Sequence, residues 1–181
     1  MADDRKYLKT TFFLMSGMIE QARITDNVAQ YHTLGLDLAG SLTATGGVGA
    51  VLASTSYSIS SSSDTLTQES KANNDTLTFS YLYDGNGNII STCNQHGEII
   101  ANLAYSPFGE IIEGKSDIPF AFSTKPVDAS GLSYYGFRFY NPQLGRWLTR
   151  DPIEEKGGIN FYAIAKNNPI GSTSALFWTF L

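Results

Sequence analysis

The stretch TLTFSYLY (Thr76 to Tyr83) constrains this chain more than any other. Leu77, Phe79, Tyr81 and Tyr83 fall on one face, while Thr76, Thr78 and Ser80 fall on the other. Such period-two alternation in strand-favouring residues fits a pleated strand and no helix. It ends at Asp84-Gly85-Asn86-Gly87-Asn88, where Asn and Gly accept positive φ at little cost. Ile89 to Cys93 then reads as a return strand, Asn94-Gln95-His96-Gly97 as a turn, and EIIANLAY (Glu98 to Tyr105) as the next strand. Ser106-Pro107-Phe108-Gly109 turns the chain once more into Glu110 to Glu113. The expected fold is mainly β, with antiparallel hairpins in a meander. Tyr83-Asp84-Gly85-Asn86-Gly87-Asn88 recurs in degraded form as Tyr105-Ser106-Pro107-Phe108-Gly109-Glu110, so tyrosine and glycine landmarks both return after 22 positions. A period of that size describes stacked hairpins that bury their faces against neighbours.

Composition excludes the main alternatives. Charged residues make up only 16% of the 181, too few to solvate the outer faces of long helices, while aromatic residues reach 13%. The balance of 12 basic to 17 acidic residues, with no like-charge block, argues against a nucleic-acid footprint or an anionic-membrane binder. One cysteine, Cys93, permits neither a disulfide framework nor a multi-cysteine metal site, and no cofactor or metal is expected. Cys93 reads as a small buried hydrophobe, His96 as an exposed turn residue, and the GGVG at Gly46 to Gly49 as backbone flexibility, since it lacks the lysine and serine or threonine of a phosphate loop. YLKTTFFLMSGMI (Tyr7 to Ile19) follows an acidic start and contains Lys9, so it makes a poor signal peptide; ALFWTFL (Ala175 to Leu181) is too short to span a membrane.

The remaining segments place four regions: strands and a Gly-rich stretch over 1–53, a Ser/Asn-rich solvated loop over 54–75, a core over 76–174, and an atypical tail over 175–181. Thr11 to Ile24 and Tyr31 to Leu38 read as strands on either side of Thr25-Asp26-Asn27. In GLSYYGFRFY (Gly131 to Tyr140), Tyr135, Phe137 and Phe139 are expected on one face with Arg138 opposite. Asn160 is expected to cap a short helix through Phe161 to Lys166, stopped by Asn167-Asn168-Pro169.

The YDGNGN and YSPFGE repeats, followed by GLSYYGFRFYNPQLGRWLTRDPI, GGINFY and NNP, resemble the Rhs/YD-repeat family and its repeat-associated core. HTLGLDLAGSLTATGGVGAVLA (His32 to Ala53) is similar to another stretch found in many members, and FFLMSGM to the repeat itself, with Met15 and Ser16 in place of the Tyr-Asp pair. The resemblance implies hairpins that form part of a curved β-sheet shell enclosing a toxic C-terminal domain, in parent proteins that are secreted or displayed at the cell surface. In many members the core is also an aspartyl peptidase that frees the toxin. That chemistry needs two carboxylates sharing a proton, one as base toward water and one as acid toward the leaving amide.

The family's first motif is present as Asp151-Pro152-Ile153-Glu154, with Arg150 beside it as support for the ionised carboxylate. By spacing, Ser174 and Phe177 stand where the second motif has its aspartate and glycine. The dyad therefore reads as broken, and Asp151 as a catalytic remnant or a plain turn residue before a φ-fixing proline. Asp117, Asp128, Glu154 and Glu155 have no spacing that makes one of them the missing partner. Arg138, Arg146 and Arg150 alternate with aromatics, which fits packing of arginine stems as well as stacking on a sugar or a base. The expected function is a structural shell module, catalytically silent and a fragment or truncated product, with no toxin domain after Leu181. The alternatives are a self-cleaving aspartyl peptidase and a carbohydrate- or protein-binding repeat module. Expected partners are the remainder of a β-shell or another copy of the chain, then a toxin segment or a carbohydrate. Unpaired strand edges and an uncovered aromatic face lead to an expectation of self-association.

Overall fold

A computed structural model describes residues 10–17, 19–42, 44–59, 76–115, 118–151 and 160–169. Seven antiparallel strands follow one another in chain order across a single sheet: β1 (Thr11–Ser16), β2 (Ile19–Thr25), β3 (Val28–Leu34), β4 (Val51–Ser58), β5 (Leu77–Tyr83), β6 (Ile89–Asn94) and β7 (Ile99–Asn102). A two-stranded ladder of β8 (Ala104–Tyr105) and β9 (Ile111–Glu113) follows, then a three-stranded one of β10 (Ser133–Tyr134), β11 (Phe139–Asn141) and β12 (Arg146–Trp147). The meander expected over Thr76 to Glu113 is present with its three turns.

Those turns share one construction, which also recurs outside them. At Asp84 the side-chain Oδ1 accepts the amides of Asn86 and Asn88, the backbone N–H donates to Asn88 O, and the amide of Gly87 returns to Asp84 O. Asn94, Asp128 and Asp37 repeat the pattern with Gly97, Gly131 and Gly40 in the fourth place. Ser106 repeats the backbone bonds ahead of Gly109, its hydroxyl taking the Glu110 amide. These five glycines have φ between 70° and 87°, which a residue with a β-carbon adopts only under strain. The repeated tyrosine has its own task. Tyr83 donates to Val51 O, Tyr105 to Ile89 O at 2.7 Å, and Tyr140 to Phe108 O at 2.8 Å. Each phenol thus ties its hairpin to a main-chain carbonyl of an earlier segment, and burial raises all three above the ordinary tyrosine value.

Several expectations are corrected. Thr11 to Ile24 is a hairpin turning at Gly17, φ 59°, with a bulge opposite Leu14 and Met15. Strand β3 begins at Val28 and ends at Leu34, and β4 runs through Ser58, so Ser54 to Ser58 is strand rather than the start of a solvated loop; residues 60–75 lie outside the described ones. Glu98 to Tyr105 divides at Leu103, whose buried side chain marks the passage from the large sheet to the β8–β9 ladder. Gly136, φ 89°, breaks the expected alternation, so Tyr135 is buried whereas Phe137 and Phe139 are exposed. The C-terminal helix is a single 3-10 turn at Ala165–Asn167, preceded by Asn160 bonding the Tyr162 amide. Among the described residues no helix is long and apolar enough to cross a membrane.

Two cores form. Val51, Tyr81, Ile89 and Phe120 fill one, against the large sheet; Phe122, Tyr135, Tyr140, Trp147, Ile164 and Ala165 fill the other, against the three-stranded ladder. Residues 120–125 join them, since Phe120 enters the first core and Phe122 the second. Directly after the second ring the chain turns through Ser123 and Thr124, both left-handed, in a 3-10 turn at Phe122–Thr124. Ser123 donates its amide to Asn88 Oδ1 at 2.8 Å, and the Thr124 hydroxyl donates to Gly87 O and accepts the Gly49 amide. Lys125 is buried, with its ammonium on Gly46 O and 5.4 Å from the centre of the Tyr135 ring; burial lowers its pKa to about 8 against the opposing pull of Asp37.

Two glycines with the same backbone distinguish strain from packing. A β-carbon at Gly97 meets nothing within 4 Å, whereas one at Gly109 lies 2.4 Å from the Phe122 ring. Gly97→Ala is expected to cost about 1 kcal/mol of stability from backbone strain alone, and Gly109→Ala about 3 kcal/mol because ring displacement adds overpacking. Chemical denaturation of both variants checks the ordering.

Candidate functional site

Asp151 sits at the end of the segment that leaves β12. Its amide donates to Phe161 O at 2.9 Å, and the Trp147 amide and indole nitrogen bond Tyr162 O and Ala163 O at 2.9 and 3.1 Å. Residues 160–163 are thereby laid along β12 as an extra ribbon. The Asp151 side chain is 7% exposed and meets the Arg138 guanidinium at 3.0 Å, which itself lies 4.1 Å from the centre of the Trp147 ring. Burial lowers the pKa of Arg138, and the charge and hydrogen bond of Asp151 oppose that shift.

The cation on the carboxylate is thus Arg138, which the alternation placed opposite Tyr135, Phe137 and Phe139. Arg150, the expected support, lies 4.7 Å over Phe161, and Arg146 lies 4.5 Å over Tyr162. These arginines pack on aromatic faces, as the stem-packing expectation had it. Asp128 spends its carboxylate on turn amides. Asp117, Glu154, Glu155, Ser174 and Phe177 lie outside the described residues.

A second cluster crosses four strands of the large sheet. Glu20 and Arg23 on β2, His32 on β3, Ser54 on β4 and Tyr81 on β5 come together beneath Phe120. Arg23 Nη2 donates to Glu20 Oε2 at 2.7 Å, His32 Nε2 lies 3.2 Å from Glu20 Oε1, and His32 Nδ1 lies 2.7 Å from Ser54 Oγ. Tyr81 donates its hydroxyl hydrogen to Ser54 Oγ at 2.6 Å. With Nε2 carrying the imidazole proton, one continuous chain satisfies every group: Tyr81 to Ser54, Ser54 to His32, His32 to Glu20. Ser, His and Glu in this order have the connectivity of a nucleophile and its base. Two features defeat that use. Ser54 is fully buried, and Tyr81 engages the oxygen that would attack. The cluster is a satisfied polar core, in which a half-made network would cost more than an apolar one.

Burial pushes the Glu20 carboxyl up, yet hydrogen bonds from His32 and Arg23, with the charge of Arg23, carry it below the ordinary 4.5. Burial raises Tyr81 to about 12. Sequence reading passed over this cluster because its members are scattered along the chain and meet only through strand register. The bulge that opposes Leu14 and Met15 to Ala22 and Glu20 is what turns Glu20 to the covered face, and no local pattern announces it.

The comparisons with known proteins agree with this architecture. The sequence model of the Teneurin YD-shell family matches residues 72–170, more than half of the chain. Toxin subunit YenC1 of Yersinia entomophaga is 35% identical over 116 residues, covering 58% of this chain and 11% of that protein. Double-stranded DNA deaminase toxin A of Burkholderia cenocepacia (strain H111) is 35% identical over 86 residues, 43% of this chain and 6% of its own length. The crystal structure of TcdB2-TccC3 superposes with a TM-score of 0.62 at 20% identity, covering 88% of this chain and 7% of that one. The chain spans about a tenth, or less, of the length of these relatives.

A carboxyl whose folded pKa is depressed stabilises the fold above its unfolded pKa and ceases to do so as pH falls through the folded one. For Glu20 that loss is expected below about pH 4.5. Glu20→Gln is expected to flatten this part of the pH dependence and to lower stability at pH 7 by about 3 kcal/mol, since Arg23 loses its buried partner. Urea melts at a series of pH values measure both effects.

Proposed function

The chain belongs to the Teneurin YD-shell family, and from that premise we propose that it serves as a catalytically silent wall module of a toxin-type β-shell. The carrying observation is the Arg138–Asp151 ion pair under Trp147, which commits the carboxylate of the family's first aspartate to a buried guanidinium, while its amide and Trp147 hold residues 161–163 along β12. Ser174 stands where the resemblance calls for the second aspartate, and a hydroxyl cannot share a proton as a carboxylate does. The stacked turns and the tyrosine bonds to earlier carbonyls support the wall reading, because they propagate hairpins from one unit to the next. The names of the relatives support a toxin-type parent. The aspartyl peptidase reading has only Asp151 in its favour. The binding-module reading is favoured by one observation, the exposed stacked pair of Tyr31 and Tyr57 on the large sheet.

The full chain carrying a C-terminal tag is expected to keep its intact mass through prolonged incubation at mildly acidic and neutral pH. Asp151→Asn is expected to leave that mass unchanged and to lower stability by about 3 kcal/mol, because the guanidinium stays buried without its counter-charge. Truncation near residue 175, abolished by Asp151→Asn in a variant that remains folded, would replace the wall reading with the peptidase reading.

A further inference from the structure

Asp84-Gly85 and Asn86-Gly87 are the only Asp-Gly and Asn-Gly pairs of this chain, and both lie in the turn between β5 and β6. In such a pair the side-chain carbonyl can be attacked by the backbone nitrogen of the residue that follows. Glycine, with no β-carbon, leaves that nitrogen most open. Every other asparagine of the chain precedes a residue that carries a β-carbon. The structure treats the two pairs differently. The Asp84 carboxylate is fully engaged: Oδ1 accepts the amides of Asn86 and Asn88 at 2.9 Å each, and Oδ2 accepts the Asn88 carboxamide nitrogen at 2.8 Å. Asn88 is held at both ends, since its Oδ1 takes the Ser123 amide. The Asn86 carboxamide is half-buried and has no hydrogen-bonding partner among the described residues. One side chain of the turn is therefore left able to react.

We propose that Asn86 is a site of spontaneous deamidation in the folded protein, and that its isoaspartate product releases residues 120–125 from the β5–β6 turn. The Gly87 nitrogen attacks Asn86 Cγ and closes a succinimide ring. The bond from Cγ to Nδ2 breaks, and ammonia leaves with the proton given up by the Gly87 amide. Water then opens the ring. Cleavage between the nitrogen and Cγ yields aspartate, whereas cleavage at the main-chain carbonyl yields isoaspartate, with the backbone running through Cγ. The bond that holds the nucleophile back is the one from the Gly87 amide to Asp84 O, 3.1 Å long, in a turn whose Gly85 is exposed. Isoaspartate adds one atom to the main chain between the α-carbon of residue 86 and Gly87. Gly87 has no room to absorb it. Its carbonyl accepts the Thr124 hydroxyl at 2.7 Å, and a β-carbon placed on it would lie 2.6 Å from Val48 Cγ1. The lengthened backbone displaces Gly87 O from Thr124, while aspartate keeps the original backbone and leaves that bond in place.

The full chain, incubated at mildly alkaline pH both folded and in urea, is read by peptide mapping with mass spectrometry. A gain of one mass unit is expected in the peptide that carries Asn86, partly as isoaspartate. Its rate in the folded chain is expected to lie about tenfold below that in urea, since one turn bond must open first. Asn86→Gln, which would have to close a larger ring, is expected to show no gain at this position. The isoaspartate form, separated by chromatography, is expected to exchange the Ser123, Thr124 and Lys125 amides about tenfold faster than the unmodified chain. Asn86→Asp is expected to exchange them at the unmodified rate. A folded chain in which Asn86 stays intact over about ten half-lives of the reaction in urea overturns the site. Earlier conversion at Asp84 or at another asparagine does the same. An isoaspartate form whose amides at 123–125 exchange as in the unmodified chain, or an Asn86→Asp variant that matches the isoaspartate form, overturns the release.

Discussion

Residues 120–125 join the two cores of this structure. A seven-stranded meander and a small three-stranded ladder have separate cores, and the chain between them does more than connect. Phe120 closes the first core over charged groups, Phe122 enters the second, and the left-handed turn that follows bonds to Asn88, Gly87 and Gly49 of the large sheet and its loops. Two consecutive non-glycine residues at positive φ are costly, and they persist because three hydrogen bonds, to Asn88, Gly87 and Gly49, and the two buried rings before them fix them in place. Lys125 adds a buried ammonium that holds the glycine-rich loop at Gly46. A buried cation is expensive to keep, which is consistent with a position set by architecture rather than by local preference.

The same architecture explains what the repeat landmarks do. The aspartate, or its asparagine or serine stand-in, organises a turn by taking two amides; the glycine three residues on supplies the left-handed step. The tyrosine before the aspartate reaches across to a carbonyl of an earlier segment. A unit built this way is complete only beside a neighbour, which is the property a shell wall needs. The C-terminal ladder applies it once more, with Tyr140 bonding Phe108 O and the arginines lying on aromatic rings.

The parts legible in the sequence were those that depend on neighbouring residues. Alternation from Leu77 to Tyr83 and the Asx–Gly turns gave the central meander, and the fixed spacings from Gly131 to Pro169 gave the family. What could not be read depends on register and on distant segments. A single bulge on β2 decides that Glu20 faces His32, and Gly136 interrupts an alternation that otherwise looks continuous through Phe139. Arg138 reaches Asp151 only because that break redirects its side chain, so adjacency pointed to Arg150 instead. Residues 118–125 place Phe120 and Phe122 in different cores and bond Ser123 and Thr124 to distant segments, which no local pattern announces.

The central claim is that residues 120–125 make sheet and ladder one cooperative wall unit. Native-state hydrogen exchange tests it most directly, because subglobal openings appear as separate free energies. The account predicts that the amides of Ser123, Thr124 and Lys125, of Tyr81 in the sheet, and of Trp147 and Asp151 in the ladder all exchange through one global opening with a common free energy. Exchange of Trp147 and Asp151 at a distinctly lower free energy, while Tyr81 stays protected, would show two independently folding parts and contradict it.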